Sequence, residues 1–185
     1  MSEPLYRPWG TVTPEFWAVP AGGATAVPHG LPPETLRVRL VEVAEIAQEG
    51  GLGDAAALAA QLDQDVAAEY GEGHLHTVQV REVRGYLAAL VGDYGTGLAW
   101  YLHAVQLRAD AQGSGHPDVD AATRRAYSLW HSMPPEADRL RLGTELLTVV
   151  TGIHGADSAI ARRIREQLHS VTGSPAGRIP GEAGP

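Results

Sequence analysis

Three residue types are missing from this 185-residue chain: cysteine, lysine and asparagine. The absence of cysteine excludes a disulfide framework, a thiol nucleophile and any cysteine-ligated zinc or iron–sulfur site. The absence of lysine excludes a Schiff-base lysine and a P-loop lysine, and the absence of asparagine excludes an oxyanion hole built on that side chain. AT-rich codons specify lysine and asparagine, so we infer a GC-rich genome and expect an actinobacterial source.

Charged residues make up 19% of the chain and aromatic residues 6%, and both fractions are low. The net charge is −8, and arginine supplies all 14 basic side chains. Nucleic-acid binding is not expected, because affinity for phosphate comes mainly from lysine and arginine. No uncharged apolar stretch reaches the roughly 18 residues of a membrane span. The start of the chain lacks the basic and apolar runs of a signal peptide, which predicts a cytoplasmic protein.

Both ends of the chain differ in composition from its middle. Residues 1–34 contain seven prolines and four glycines, too many for a helix, and residues 172–185 are expected to be a disordered tail. The N-terminal arm nevertheless carries four of the eleven aromatic residues, which is unusual for a solvated linker. It either packs on its own domain or docks to a partner through these side chains: Tyr6, Trp9, Phe16 and Trp17.

Between the two ends the sequence has helical periodicity throughout, and no period-2 segment of useful length competes. The pattern predicts helices over 35–49 and 54–70, and a sixth helix that starts at Pro134 and Pro135. We therefore expect an all-α domain over residues 35–171. The apolar positions that mark its seven helices are Leu36, Leu40, Val43, Ala47; Leu58, Leu62, Val66, Tyr70; Val80, Val83, Leu87, Leu90; Leu98, Tyr101, Leu102, Val105; Ala122, Ala126, Leu129, Trp130; Leu140, Leu147, Val150; and Ile160, Ile164, Leu168, Val171.

The helical region repeats itself. A segment that begins Gly73-His74 is followed by a similar one that begins Gly115-His116, and each precedes a helix. Gly97 and Ala137, near the start of the following helices, are separated by nearly the same interval. Three helix pairs with a period of about 40 to 42 residues, followed by a helix over 155–171, are the simplest description.

This pattern resembles the tetratricopeptide repeat (TPR), in particular the longer kinesin-light-chain-like variety with a Gly-x-x-His-Pro-x-Thr element before each first helix. The resemblance covers nearly three quarters of the chain and implies a short right-handed α-solenoid of about three helix hairpins plus a C-terminal capping helix. The element is matched by Gly71, His74 and Thr77 and again by Gly113, His116 and Pro117. The clearest repeat spans 78–110, where the matching residues are Gly85, Gly92, Asp93, Tyr94, Gly97, Tyr101, Ala104 and Val105.

The resemblance implies a non-catalytic adaptor or scaffold, in a signalling or regulatory system, that binds another protein on its concave face. Many TPR grooves hold a carboxylate with asparagine and lysine side chains, and that clamp cannot form here. The alternatives are a TPR-type sensor of a small ligand or signalling peptide and, less favoured, a metal-dependent enzyme that uses His74 and His76. The groove candidates implied by family position are Gln79, Glu82, Tyr86, Ala89, Leu90, Ala122, Ala126, Leu129 and Trp130.

Arginine occupies the position of a core leucine in two repeats, at Arg84 and Arg124. A guanidinium there needs a carboxylate or carbonyl partner, and Glu82, Glu136 and Asp138 are the candidates. Alternatively, a basic strip of Arg81, Arg84, Arg124 and Arg125 binds an acidic or phosphorylated segment of a partner.

The sequence contains no complete catalytic constellation, so we predict no enzymatic activity, no cofactor and no metal site. A Gly-x-Ser-x-Gly elbow is absent, and the glycine-rich segment 50–54 lacks the lysine of a phosphate loop. Asp63, Asp65 and Glu69 are interpreted as a solvated helix face. Three repeats are close to the minimum for an independent solenoid, so the arm or a homodimer contact is expected to cover one end.

Overall fold

The computed structural model describes residues 6–7, 10–11, 33–134 and 137–172. Among these residues the β-structure is one short antiparallel pair, β1 (Tyr6–Arg7) and β2 (Gly10–Thr11). The rest of the described chain forms seven helices: α1 (Pro33–Gln48), α2 (Leu52–Tyr70), α3 (Leu75–Leu90), α4 (Tyr94–Gln112), α5 (Pro117–His131), α6 (Arg139–His154) and α7 (Ala159–Thr172).

Each helix packs on the next one along the chain, and α4 also contacts α6. The predicted all-α fold is confirmed: three helix hairpins and a single C-terminal helix form a short α-solenoid. Trp9, Phe16, Trp17 and the tail after residue 172 lie outside the described residues, and the docking role of the aromatic arm, including Tyr6, stays a prediction.

Glycines with positive φ set the repeat length. Gly71, Gly113 and Gly155 end α2, α4 and α6 with φ of +93°, +88° and +85°, and equal intervals separate them along the chain. Glycine suits these positions because an added Cβ would strain this left-handed backbone. The C-terminal ends of the second helices therefore repeat every 42 residues, which is the upper limit of the predicted period. We call this spacing the repeat interval.

The residue three positions after each of these glycines caps the next helix. The Nδ1 atoms of His74 and His116 accept a hydrogen bond from the backbone N–H two residues later, at 3.2 and 3.1 Å. Ser158 takes this place in the last repeat, and its Oγ accepts from the N–H of Ala161 at 3.3 Å. Helix α7 thus corresponds to the first helix of a fourth repeat. Positions on α7 can therefore be compared with positions on α5 and α3 through the repeat interval.

The third hairpin departs from the repeat interval at its turn. Gly92, with φ of +86°, lies in the turn between α3 and α4, and the residue one repeat interval later is Pro134. A proline ring fixes φ near −65°, so the glycine turn cannot form there. The N-cap of α4 is Asp93, and the N-cap of α6 is Asp138, which lies three residues beyond the position one repeat interval after Asp93. Helix α6 is correspondingly shorter, with 16 residues where α4 has 19.

The prediction that the sixth helix starts at Pro134 and Pro135 is therefore wrong, because α6 begins at Arg139. The prediction of Leu140 as a core residue is also wrong, since 47% of it is exposed. The buried face of α6 instead repeats every four residues, through Leu142, Leu146 and Val150.

Small residues allow α3 and α4 to approach closely. A Cβ atom added to Gly97 would lie 3.0 Å from the carbonyl oxygen of Gly85, and one added to Gly85 would lie 3.1 Å from Cδ1 of Tyr101. Tyr101 is buried beside the two glycines. The tyrosine therefore fills the space that the small residues leave.

In the third hairpin the large aromatic residue lies on the first helix and the glycine on the second, the reverse of the arrangement in the second hairpin. Gly143 lies one repeat interval after Tyr101, and the aromatic ring that fills the space comes from Trp130 on the partner helix. The indole N–H of Trp130 donates to the carbonyl of Arg139 at 2.8 Å. Arg141, which lies 40 residues after Tyr101 in the sequence, does not take the place of that aromatic residue, because it is exposed and pairs with the carboxylates of Asp138 and Glu145.

A methyl group at Gly143 should destabilise the protein. An added Cβ would lie 2.5 Å from Cζ2 of Trp130, so Gly143→Ala should lower the free energy of unfolding by about 1–3 kcal/mol. Gly152→Ala in the same helix is the matched control, because nothing lies within 4 Å of its Cβ and it should stabilise by about 0.5–1 kcal/mol. Urea unfolding measures both, and equal effects of the two variants would contradict the packing of Trp130.

Candidate binding cleft

Helix α3 lies between the two main apolar clusters of the solenoid. Val80 and Val83 belong to the cluster formed with α1 and α2, whereas Tyr86 and Ala89 belong to the cluster formed with α4 to α7. Most of the helix is consequently buried, including charged side chains. A buried charge requires a paired charge or several hydrogen bonds, so α3 determines which polar groups must meet inside the solenoid.

The first of two ion-pair clusters, the Asp63 cluster, joins α2 to α3. Asp63 is only 5% exposed, and its two carboxylate oxygens each accept from one arginine. Oδ1 accepts from Nε of Arg81 at 3.1 Å, and Oδ2 accepts from Arg84. Glu72, in the loop before α3, also pairs with Arg81. The guanidinium of Arg84 lies over the Trp100 ring at 4.1 Å and thereby connects the cluster to α4.

The second cluster, the Glu82 cluster, joins α3 to α4 and α5. Glu82 accepts two hydrogen bonds from Arg108, at 3.1 and 2.8 Å, and one from Arg125 at 2.5 Å. The bonds from Arg108 are bidentate, the strong geometry for a guanidinium and a carboxylate. Arg108 also lies 3.8 Å from the carboxylate of Asp118. Each cluster thus contains two arginines and two carboxylates and is balanced in charge.

The pKa of Glu82 shows which effect prevails in the Glu82 cluster. Burial alone would favour the protonated carboxyl, but the charges of Arg125 and Arg108 and their hydrogen bonds hold the pKa of Glu82 below its usual range. Burial likewise opposes the charge on Arg108, yet its contacts with Glu82 raise the pKa of Arg108. The charged form of the cluster is therefore the stable one near neutral pH.

These contacts correct three sequence interpretations. Asp63 does not belong to a solvated face, because it is buried and binds two arginines. The partner of Arg84 is Asp63, which is absent from the candidate mates; Glu82 instead binds Arg108 and Arg125. The basic strip does not form, because Arg81, Arg84 and Arg125 are paired with internal carboxylates. Of its four members, Arg124 alone is exposed.

The groove predicted from family position is also not an exposed surface. Its members on α3 and α5 are buried in the packed solenoid, apart from Leu90, which is half-buried. The physical reason is that both faces of α3 and the inner face of α5 contribute to the apolar clusters. The buried members are Gln79, Glu82, Tyr86, Ala89, Ala122, Ala126, Leu129 and Trp130.

An open cleft lies one repeat further along, between α5 and α7. It has a volume of about 390 Å³. Helix α5 lines it with one face, and the start of α7 lines the opposite side, with His154 at the end of α6 between them. We call this site the α5–α7 cleft; its lining residues are Asp120, Thr123, Arg124, Tyr127, His154, Ser158, Ala159, Ile160 and Arg163.

The base of the α5–α7 cleft is polar but satisfied. The hydroxyl of Thr123 is buried and donates to the carbonyl of Val119 at 2.8 Å. Nε2 of His154 lies 2.9 Å from the same hydroxyl, within hydrogen-bond distance. Nδ1 of His154 faces the Asp120 carboxylate at 3.7 Å.

The rim of the cleft is basic and aromatic. Arg124 on α5 and Arg163 on α7 are both exposed. Burial raises the pKa of Tyr127, and the positive charge of Arg163 acts in the opposite direction. The Tyr127 ring also stacks on His131, with the two planes 8° apart. A ligand in the cleft would meet two cations and an aromatic ring.

The His74 and His76 pair forms part of a helix cap. Their rings and that of Tyr70 lie within 4.7 to 5.1 Å of one another, and Nδ1 of His74 accepts from the N–H of His76. Burial lowers the pKa of both histidines. In the described part of the chain, no three histidine, aspartate or glutamate side chains lie together as metal ligands would. No helix there is long and apolar enough to cross a bilayer.

The sequence candidates did not include Glu72 and Arg108 of the clusters or Tyr127, His154 and Arg163 of the cleft, and Asp63 was interpreted as solvated. The repeat interval is the signal that could have identified the cleft, because it makes α7 a first helix. No comparable signal exists for the clusters, since their members come from different helices and follow no fixed spacing.

Removal of the central carboxylate should be costly. Glu82→Gln removes the buried carboxylate that binds both Arg108 and Arg125, so we expect the free energy of unfolding to fall by about 3 kcal/mol at pH 7. Glu72→Gln is the control; its carboxylate is 73% exposed, and the loss should stay below about 1 kcal/mol.

The same pair of variants tests the pKa. The folded-state pKa of Glu82 is lowered, so its ionised carboxylate stabilises the folded protein at any pH above the unfolded-state pKa of about 4.5. This stabilisation is lost as the pH falls through the folded-state pKa. The difference in free energy of unfolding between the wild-type protein and Glu82→Gln, measured with urea, should therefore become smaller below about pH 4.5. A difference that is constant from pH 7 to pH 3.5 would contradict the assignment.

No model of a known protein family matches the chain, and no curated protein is significantly similar to it. The resemblance to TPR proteins therefore stays a prediction, which rests above all on the glycine and histidine pairs Gly71-His74 and Gly113-His116.

Proposed function

We propose that the protein is a non-catalytic TPR-like interaction module that binds a segment of another protein in the α5–α7 cleft. The observation that carries the proposal is the contrast between two equivalent surfaces. Between α3 and α5 the Glu82 cluster occupies the space with paired charges. Between α5 and α7 the equivalent space is an open cleft of about 390 Å³ with an exposed arginine on each side.

The lining of the cleft supports a peptide segment as its ligand. Ile160 and Tyr127 offer apolar and aromatic surface, and Arg124 and Arg163 offer hydrogen-bond donors at the rim. Aromatic residues and arginine are the types enriched at protein–protein interfaces. An adaptor or scaffold in a cytoplasmic signalling or regulatory system is the role that fits such a surface and the resemblance to TPR proteins.

Site-specific photocrosslinking tests the location of the interface. Benzoylphenylalanine at Tyr127, inside the cleft, should crosslink one protein in cells of the source organism, because the probe would replace an aromatic side chain that contacts the partner. Val91, 58% exposed in the turn after α3, is the control position and should give no such product. Equal products from both positions, or none from Tyr127, would contradict the proposal.

The alternative function is a sensor of a small ligand, and the size of the cleft favours it specifically. Pockets for small molecules typically have volumes of about 300–1,000 Å³, and the α5–α7 cleft lies in that range. A thermal-shift screen separates the two functions. A sensor should gain several degrees of melting temperature with a metabolite, and Tyr127→Ala should abolish the gain. An interaction module should respond to peptides alone.

A further inference from the structure

We infer that the α5–α7 cleft binds an oxyanion of the partner segment, a phosphate or a carboxylate group, between Arg124 and Arg163. The inference rests on the proposed function and names the chemical group that the cleft selects. It follows from three observations: the repeat interval, the partners of the arginines, and the local charge of the cleft.

The repeat interval relates positions of opposite charge. Glu82 lies on α3, and the residue one repeat interval later, on α5, is Arg124, so the prediction that Arg124 corresponds to Arg84 is wrong. In the first of these repeats the carboxylate lies inside the solenoid and holds two guanidiniums. In the second a guanidinium stands at the corresponding position and is exposed. The protein thus supplies the anion for its own arginines in one groove and supplies no carboxylate at the corresponding position in the next.

The arginines of the cleft differ from their neighbours in their contacts. Arg125, next to Arg124, binds Glu82, while Arg162 and Arg165, on either side of Arg163, donate to carbonyl oxygens of Asp157 and Ala156. Arg124 and Arg163 make no hydrogen bond or salt bridge with any described residue. The other arginines of 34–170 all donate to a carboxylate or a carbonyl oxygen. Two unpaired guanidiniums therefore line the same cleft.

The charge of the cleft contrasts with that of the whole protein. Two arginines and one carboxylate, that of Asp120, line it, whereas the whole chain has a net charge of −8. Asp120 faces Nδ1 of His154 at 3.7 Å. Charges elsewhere on the surface are screened within about 10 Å at ordinary ionic strength, so the nearby guanidiniums determine which ligands enter. Their planar donor groups suit the oxygens of phosphates and carboxylates.

The remaining groups of the cleft determine which kind of partner side chain, bearing the phosphate or carboxylate, fits there. Tyr127 and Ile160 provide an aromatic and an apolar contact beside the two arginines. The Ser158 hydroxyl already donates to the carbonyl of Gly155 and accepts from Ala161, so it is committed to the helix cap. The arginines therefore carry the recognition, and a side chain with a short stem, such as a phosphoserine or a glutamate, matches the combination.

Nuclear magnetic resonance titration of the full chain tests the inference with three probes. They are the N-acetyl, N′-methylamide derivatives of phosphoserine, glutamate and serine. Either of the first two should shift the Nε–Hε signals of Arg124 and Arg163, and serine should not. Arg124→Gln and Arg163→Gln should each weaken the binding at least about tenfold, since a hydrogen bond to a charged group contributes about 1.5–3 kcal/mol. Arg162→Gln, next to Arg163 but bonded to a backbone carbonyl, should leave it unchanged.

The outcomes are decisive in both directions. Binding of phosphoserine alone identifies a phosphate site, binding of glutamate alone identifies a carboxylate site, and either supports the inference. No binding of the two anions, equal binding of serine, or equal losses in Arg162→Gln and Arg163→Gln would overturn it. A partner crosslinked at Tyr127 whose binding survives Arg124→Gln and Arg163→Gln would leave the proposed function intact and remove the oxyanion.

Discussion

The solenoid depends on two buried carboxylates, Asp63 and Glu82. Each is almost inaccessible to water and binds two arginines from helices that follow its own along the chain. Apolar contacts are non-directional and tolerate sliding of one helix along another, whereas a bidentate pair between a guanidinium and a carboxylate fixes the relative position of both partners. An isolated charge at either site would be costly, so the helices must adopt the arrangement that brings the partners together. The choice of arginine for every basic residue suits this role, because its planar group can bond several oxygens at once.

The same constraint distinguishes the space between α3 and α5, which is filled, from the open cleft between α5 and α7. Paired charges occupy the space between α3 and α5, and at the next repeat the carboxylate is replaced by Arg124. The packing of the third hairpin also changes, since Trp130 and Gly143 replace the combination of Gly85 and Tyr101. Both changes fall in the last hairpin and the helix after it. The repeats therefore share a backbone period while their side chains divide into a structural part and a candidate binding part.

Sequence periodicity was reliable where one helix face met one apolar cluster. The core positions of α1, such as Leu36 and Leu40, and the close approach of Gly85 and Gly97 followed from spacing and residue size alone. Periodicity was less useful at the third turn, because two prolines indicate a helix start whether the helix begins at once or, as here, at Arg139. It also misplaced Asp63, since an acidic residue on a helix resembles a solvated one until its arginine partners, distant in sequence, are known.

By itself the sequence determined the all-α class, the repeat period and the absence of a lysine and asparagine clamp, because these depend on local spacing and on composition. The tertiary structure alone decided which charges are paired and which groove is open. That decision requires the relative positions of side chains on four different helices, from Asp63 on α2 to Arg125 on α5. The residues of the predicted groove on α3 and α5 are buried, apart from the half-buried Leu90. Helix α3 is enclosed by apolar clusters on both sides, whereas α5 and α7 leave a cleft with Arg124 and Arg163 at its rim.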